Sequence, residues 1–247
     1  SSENLGNHFD IHCGGVDNMF PHHENEIAQS TCFSGEKFVN YWLHSEFLLV
    51  DGGKMSKSLG NFYTIKDLTK KGFTAESIRY QLLAGHYRTK ISFSLNKKQE
   101  SDKVISRINE FQSSLIDIGA QNIQGNQLPE SYYDFVEAMN DDLNSPRALA
   151  IFHSWMRNVS KKIKTGSISN NEIRGSWNFL KNFDSVFGFI NRENLNIPLK
   201  VKKLIELREA ARIKKNWTLS DDFRDQIQRE GWVVEDTVHG QKVKKAN

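Results

Sequence analysis

Residues 47–61 read Phe47-Leu48-Leu49-Val50-Asp51-Gly52-Gly53-Lys54-Met55-Ser56-Lys57-Ser58-Leu59-Gly60-Asn61, and the order of their chemistry decides the fold class of the first part of the chain. The short unbroken apolar run from Phe47 to Val50, closed by Asp51-Gly52-Gly53, is expected of a strand buried in a parallel sheet. Directly after the Gly-Gly turn, Lys54 and Lys57 flank the hydroxyls of Ser56 and Ser58. Two compact ammonium charges on flexible stems can follow phosphate oxygens as they move, and the serines can donate hydrogen bonds. In a reaction that expels pyrophosphate, such groups count when they meet charge developing in the transition state. A solvated basic loop is the plainer reading of any Lys-Ser pair taken by itself.

Upstream, Phe9 and Ile11 alternate with polar neighbours and run into Cys13-Gly14-Gly15-Val16-Asp17, a short strand ending in a tight turn. Pro21 suits a first helical position, with Asp17 or Asn18 as caps, so a helix starts near residue 21. On that helix His22 and Glu26 stand four apart and project from one face. Together they offer an imidazole and a carboxylate to one metal, half of a tetrahedral zinc site, or else make an ordinary helix-surface contact. Gly14 and Gly15 let the backbone approach a ribose or base closely, and Asp17 can accept from a ribose hydroxyl. A purely structural turn is the alternative. His12, His23 and His44 stay open.

Downstream, long helices take over from about residue 98. Val104, Ile108, Phe111 and Leu115 form one stripe. Asn144-Ser145 and Pro146 open a helix carrying Leu149, Phe152, Met156, Val159 and Ile163 on one face. Ile173, Trp177, Leu180 and Phe183 mark another, and the whole reads as a helical bundle. Asn194 to Pro198 is expected to link to a small terminal unit. There Leu204-Ile205 and Ala211 share a helix, Ser220 caps a second, and Gly231 ends it before the alternating Trp232-Val233-Val234-Glu235 strand, with His239-Gly240 as a hairpin turn.

At 38% apolar and 26% charged, the composition is that of a globular chain. No apolar run approaches the roughly 20 residues of a membrane span, and no signal-peptide order opens the sequence. Two cysteines, Cys13 and Cys32, are too few for a disulfide framework. A cytoplasmic location without membrane contact is expected, and the start at Ser1-Ser2-Glu3 without Met suggests a fragment. Residues 199–247 hold 12 Lys/Arg against 8 Asp/Glu, whereas 100–198 hold 10 against 12. The basic tail therefore invites an RNA reading: Arg208, Arg212 and Lys214 lie on one helical segment, with Trp217 and Trp232 as stacking aromatics. A solvated charged face is the alternative for any one lysine.

The Lys54–Ser58 word matches the signature loop of class I aminoacyl-tRNA synthetases. The segment Phe9 to Ser30, with His22-His23-Glu24-Asn25-Glu26 at its centre, closely resembles the cysteinyl-tRNA synthetase family. Phe135 to Asp142 and the tail from Leu207-Arg208 to Glu235-Asp236 are similar too, so the resemblance covers nearly the whole chain. It implies the α/β remnant of a Rossmann-type catalytic domain (1–62), a connecting stem-contact region (63–98), an all-α, DALR-like tRNA-binding bundle (99–193) and a small α+β anticodon-recognition domain (199–247).

By the same resemblance Lys54 and Lys57 are catalytic, and Lys54, Met55, Ser56, Lys57 and Ser58 with Gly14, Gly15 and Asp17 bind ATP, which enters with Mg2+. The family's zinc is held by two Cys, one His and one Glu. His22 and Glu26 match the last two, while Cys13 and Cys32 match neither cysteine, so the zinc site is incomplete. Thiolate–zinc bonding separates cysteine from serine, since a hydroxyl is a poorer ligand. Arg208, Arg212, Lys214 and Trp232 fall at the tRNA-binding end. The implied partners are tRNA(Cys), ATP and L-cysteine, and a monomer is expected. The family's His-Ile-Gly-His type motif is absent from the chain, so little activity is expected of it alone. Two alternatives are a non-catalytic tRNA-binding module and a ligase of cysteine to an amino sugar; relatives of the latter kind lack the long helical tail present here.

Overall fold

The computed structural model describes residues 1–56, 58–190, 198–237 and 240–245. The chain parts into two compact units, Ser1–Phe189 and Ile190–Asn247, and the three segments expected before residue 193 fall almost wholly in the first. Lys57, His239 and most of the expected linker, from Asn194 to Ile197, lie outside the described residues, as do the side chains of Lys242, Lys244 and Lys245.

The first unit opens with α1 (Ser2–Leu5) and β1 (Phe9–Gly15), crosses over through α2 (Glu24–Ser34), and returns in β2 (Val39–Ser45). β1 and β2 pair in parallel from Phe9↔Val39 to Gly15↔Ser45. As expected, the strand ends in a tight turn: β1 runs through Gly14 and Gly15, and the chain bends in a 3-10 turn, Val16–Asn18. Asp17 and Asn18 supply no side-chain cap. Phe20 is extended (φ −134, ψ 130), as the residue before a proline must be, and helical geometry starts at Pro21 as expected.

β3 (Leu48–Val50) is the centre of a second sheet, antiparallel to β4 (Gly53–Lys54) and parallel to β5 (Ile91–Phe93). The run expected to be a wholly buried parallel strand is thus half of each kind. Only Val50 is fully buried, and Phe47 lies outside the strand, exposed. Asp51 and Gly52 both have positive φ, 50° and 81°, so the turn is a two-residue Asp-Gly hairpin rather than a Gly-Gly one. α3 (Ile65–Lys70), behind a Thr64–Asp67 capping box, and α4 (Ala75–Leu83), capped by Thr74, close this layer around Leu68, Phe73, Ile78 and Phe93.

Four helices follow: α5 (Lys98–Asp117), α6 (Glu130–Asn140), α7 (Ser145–Lys164) and α8 (Asn170–Phe187). The α5 stripe is buried at Ile108, Phe111 and Leu115 as expected, but its fourth member is Ile105, with Val104 half-buried. Asn144 caps α7, its side-chain oxygen accepting from the Arg147 amide at 3.2 Å. On α8 Trp177 is only half-buried and Phe179 takes the core position. The bundle core is aromatic: Phe152 and Phe183 stack at 3.5 Å, and Phe179 meets Phe152 edge-on at 5.7 Å.

The second unit packs α9 (Leu199–Ile213) and α10 (Trp217–Arg229) with the antiparallel hairpin of β6 (Trp232–Thr237) and β7 (Gly240–Lys245). Asn216, not Ser220, caps α10, accepting from the Leu219 amide at 3.2 Å; Ser220 is buried one turn inside. Gly231, at φ 80°, makes the break into β6. The strand's alternation then sends Trp232 and Val234 into a core with Val201, Leu204 and Ile227.

Candidate functional site

The Lys54 loop leaves β4 with its shape set by one side chain. Asn61 accepts from the Ser56 amide at 2.8 Å and donates to the Lys54 carbonyl at 3.0 Å, tying the two sides of the loop together. Ser56 and Ser58 join through their hydroxyls at 2.7 Å. Lys54 is exposed, while Met55 and Ser56 are half-buried. Sequence alone assigns Asn61 no such task, because a bond from a side chain to backbone seven residues away leaves no periodic trace.

His22 and Glu26 meet as the i, i+4 spacing requires, Nε2 to Oε1 at 3.2 Å. The other carboxylate oxygen lies 3.4 Å from His12 Nε2. His12, His23 and Glu26 offer donor atoms all within 4.8 Å of one another, the grouping among the described residues that could hold a metal ion. β1 carries His12, the turn before α2 carries His23, and α2 carries Glu26. His12 faces Trp42 across the register pair His12↔Trp42 and stacks on it at 4.5 Å. His44, one alternation further along β2, shares a 2.8 Å hydrogen bond between its Nε2 and His23 Nδ1. Burial, then the neighbouring His12 ring, holds the His23 pKa below the ordinary imidazole value. His12 Nδ1 and Glu26 Oε2 are buried without a hydrogen-bond partner, an arrangement proteins rarely leave unused. Cys13 and Cys32 stay outside the grouping, both exposed.

Gly14 earns its place by close approach: a Cβ there would lie 2.4 Å from His23 Cε1 and 2.9 Å from Nε2. At Gly15 a Cβ would strike Asp17 Oδ1 at 2.4 Å, and Asp17 itself is exposed just past β1. Cys13 and Gly14 also help line a mainly apolar cleft of about 340 Å³ with Leu43, Leu82, Met139 and Phe187.

The tail residues divide. Arg208 is 1% exposed and clamps Asp236 with both terminal nitrogens, at 2.9 and 3.0 Å. Trp232 is 5% exposed in the core. Both side chains are thus turned into the terminal unit rather than out to solvent. Their RNA-like appearance came from residue type, which carries no information on burial. Arg212 is partly available, 3.0 Å from Asp236 with its guanidinium 5.6 Å above the exposed Trp217 ring. Lys214 is exposed.

Residues 1–103 match the family model for the class I (C) tRNA synthetase catalytic domain, and residues 134–191 match the DALR domain. A cysteine–tRNA ligase of Protochlamydia amoebophila is 42% identical over 246 residues, covering 98% of this chain and 52% of that protein. One from Brachyspira hyodysenteriae is 40% identical over 259 residues, with 99% and 54% covered. The chain spans about half the length of the curated relatives it matches. Among solved structures, a LeuRS–tRNA–LeuAMS complex from Agrobacterium radiobacter aligns with TM-score 0.61 at 16% identity, over 74% of this chain and 27% of that one. That likeness is one of fold: a class I synthetase catalytic domain followed by a helical domain.

Proposed function

We propose that the chain is a member of the cysteine–tRNA ligase family, which it matches over 98% of its own length and in the class I (C) catalytic and DALR domains, and that it carries one part of the machinery that activates cysteine with ATP and passes it to tRNA(Cys). The observation that carries this reading is the Lys54–Asn61 loop, held in shape by Asn61 at the exit of a sheet. Lys54 and Lys57 meet the phosphates of ATP and the Mg2+ that accompanies them, and Ser56 and Ser58 donate to phosphate oxygens. A loop already locked by Asn61 needs less reorganisation when charge develops on the departing pyrophosphate. Gly14 and Gly15 give adenosine a flat backbone to rest on, and Asp17 accepts from a ribose hydroxyl.

Zinc fits the donors around α2, since Glu26 Oε2 is a buried acceptor without a hydrogen-bond partner and imidazoles crowd it. His22 and Glu26 would hold it, and it would supply a thiolate-selective anchor for substrate cysteine. With His12 and His23 close to the same carboxylate, the donors grouped here are imidazole nitrogens and a carboxylate, with no cysteine among them.

Cysteine-dependent ATP–pyrophosphate exchange tests the reading. The 247-residue chain is expected to give little exchange alone and to gain it when a polypeptide matching the rest of the relatives is added. In that mixture Lys54→Ala should lower the rate about 100-fold. Exchange by the isolated chain would overturn its incompleteness. Failure to restore exchange, with tRNA binding retained, would favour the non-catalytic tRNA-binding module.

A further inference from the structure

The corner between β3 and β4 is fastened to β5 and the residue after it at three points. The Asp51 amide donates to the Phe93 carbonyl at 2.9 Å, the Asp51 carboxylate accepts from Ser94 Oγ at 2.6 Å, and the Gly52 amide donates to Ser92 Oγ at 3.1 Å. Asp51 holds φ 50°, a conformation that a side chain keeps only where its surroundings hold it. Lys54, at the end of the two-residue strand β4, follows directly. Asn61 fixes the loop's own shape, whereas this corner fixes where the loop leaves the sheet.

The hold on Ser94 continues inward. Its amide donates to Gln81 Oε1 at 3.1 Å, Gln81 Nε2 donates to Ser101 Oγ at 2.9 Å, and the Ser101 hydroxyl donates to the Lys97 carbonyl at 2.7 Å. Gln81 and Ser101 are 8% and 1% exposed. A buried amide gains little stability over an apolar side chain of its shape, because its bonds replace bonds to water. What a fully bonded buried network adds is a single geometry. Four hydrogen bonds thus run without a gap from the first turn of α5, through α4, to the corner that carries Lys54.

We propose that Asp51, Ser94 and Gln81 are positioning residues for the Lys54 loop, setting the direction in which it leaves the sheet so that Lys54 meets the departing pyrophosphate. The assignment rests on the phosphate reading of that loop given above. A group that must meet charge developing in the transition state loses much of its effect when displaced by about 1 Å. The relay reaches the reaction only through the loop, and none of its members touches ATP.

Two measurements test it. In the 247-residue chain, amide hydrogen exchange read by mass spectrometry on peptides covering residues 51–56 should be about 10-fold faster in Ser94→Ala, Gln81→Met and Asp51→Gly, with helices α6 to α8 unchanged. Asp51→Gly keeps the backbone conformation and loses the acceptor, whereas Asp51→Asn keeps both and should exchange as the wild type does. In the mixture with a polypeptide matching the rest of the relatives, Ser94→Ala should lower cysteine-dependent ATP–pyrophosphate exchange about 10-fold. The double variant K54A/S94A should be no slower than K54A alone, because a residue that acts through Lys54 then has nothing left to position. A double variant slower by the product of the two single losses overturns the proposal, as a general defect of the fold would give it. Unchanged amide exchange in Ser94→Ala and Gln81→Met overturns it too, as does Asp51→Asn exchanging as fast as Asp51→Gly. No pyrophosphate exchange by the wild-type mixture overturns the phosphate reading and the proposal with it.

Discussion

At the scale of single residues, identity and environment point in different directions more often at the charged and aromatic positions than at the apolar ones. Arg208 has the chemistry of an RNA contact, yet it is spent inside the terminal unit on Asp236, whose carboxyl it holds below the ordinary carboxylate range. Arg208→Met should therefore cost about 2 kcal/mol in urea unfolding of that unit, the modest end for a broken pair because Asp236 keeps solvent contact. The folded variant should bind tRNA as the wild type does. Trp232→Ala should cost about 3–5 kcal/mol. If it stayed stable and lost tRNA affinity instead, stacking would return as its role. At Gly14 the neighbour is the His23 ring, itself pinned by His44, so the ring cannot swing aside freely. Gly14→Ala should cost about 2 kcal/mol and move the His23 imidazole resonances. A variant with wild-type stability and unmoved resonances would show that the ring has room.

At the scale of elements, local chemistry foretold most starts and stops. Asn144 caps α7 with Pro146 in its first turn, Gly231 separates α10 from β6, and the helices of the bundle bury most of the stripes their periodicity announces, with Ile105 in place of Val104 and Phe179 in place of Trp177. Ser169 and Glu172 form a capping box at α8, and Lys162 adds a further bond to the same carboxylate. These bonds, that from Lys162 foremost, then those from the Ser169 amide and hydroxyl, hold the Glu172 pKa down to about 2 from 4.5. A folded pKa below the unfolded one stabilises the native state above the unfolded value, and the gain is lost as pH falls through the folded value. Glu172→Gln should therefore melt lower than the wild type near neutral pH, and the gap should close as pH falls from 4.5 toward about 2. Melting curves at a series of pH values measure it, and a gap that persisted in acid would remove the carboxylate as its cause. The misses at this scale share a cause. Asn216 displaced Ser220 as a cap, and the hairpin at Asp51-Gly52 made β3 a strand of mixed pairing. Neither is decided by local propensity, since Asn and Ser cap helices about equally well and a strand's partner can lie far along the chain.

At the scale of the whole molecule, two strands of parallel sheet carry Ile11 and Tyr41 as a register pair, 56% and 68% exposed. Parallel sheets are ordinarily covered on both faces. Adding the polypeptide that matches the rest of the relatives should slow amide hydrogen exchange across β1 and β2, read by mass spectrometry; unchanged exchange would mean that this face stays open. The linear charge count misplaced the cationic surface. The tail, rich in Lys and Arg, uses Lys200, Arg208 and Arg212 on its own carboxylates. The middle segment, acidic by count, presents Arg107, Arg157, Lys161 and Lys164 along a groove between α5 and α7. By itself, the sequence determined what depends on neighbours a few residues apart: the helical stripes, the His22–Glu26 pair, the Lys54–Ser58 word and, through long motifs, the family. Only the tertiary structure decided what depends on chain segments meeting. His12 and His23 gather around Glu26, with His44 bonded to His23, because the parallel pairing of β1 and β2 brings distant segments together, and the groove opens where two helix faces come together. Arg208 and Trp232 are withdrawn from solvent because burial is a property of the packed unit and not of the residue.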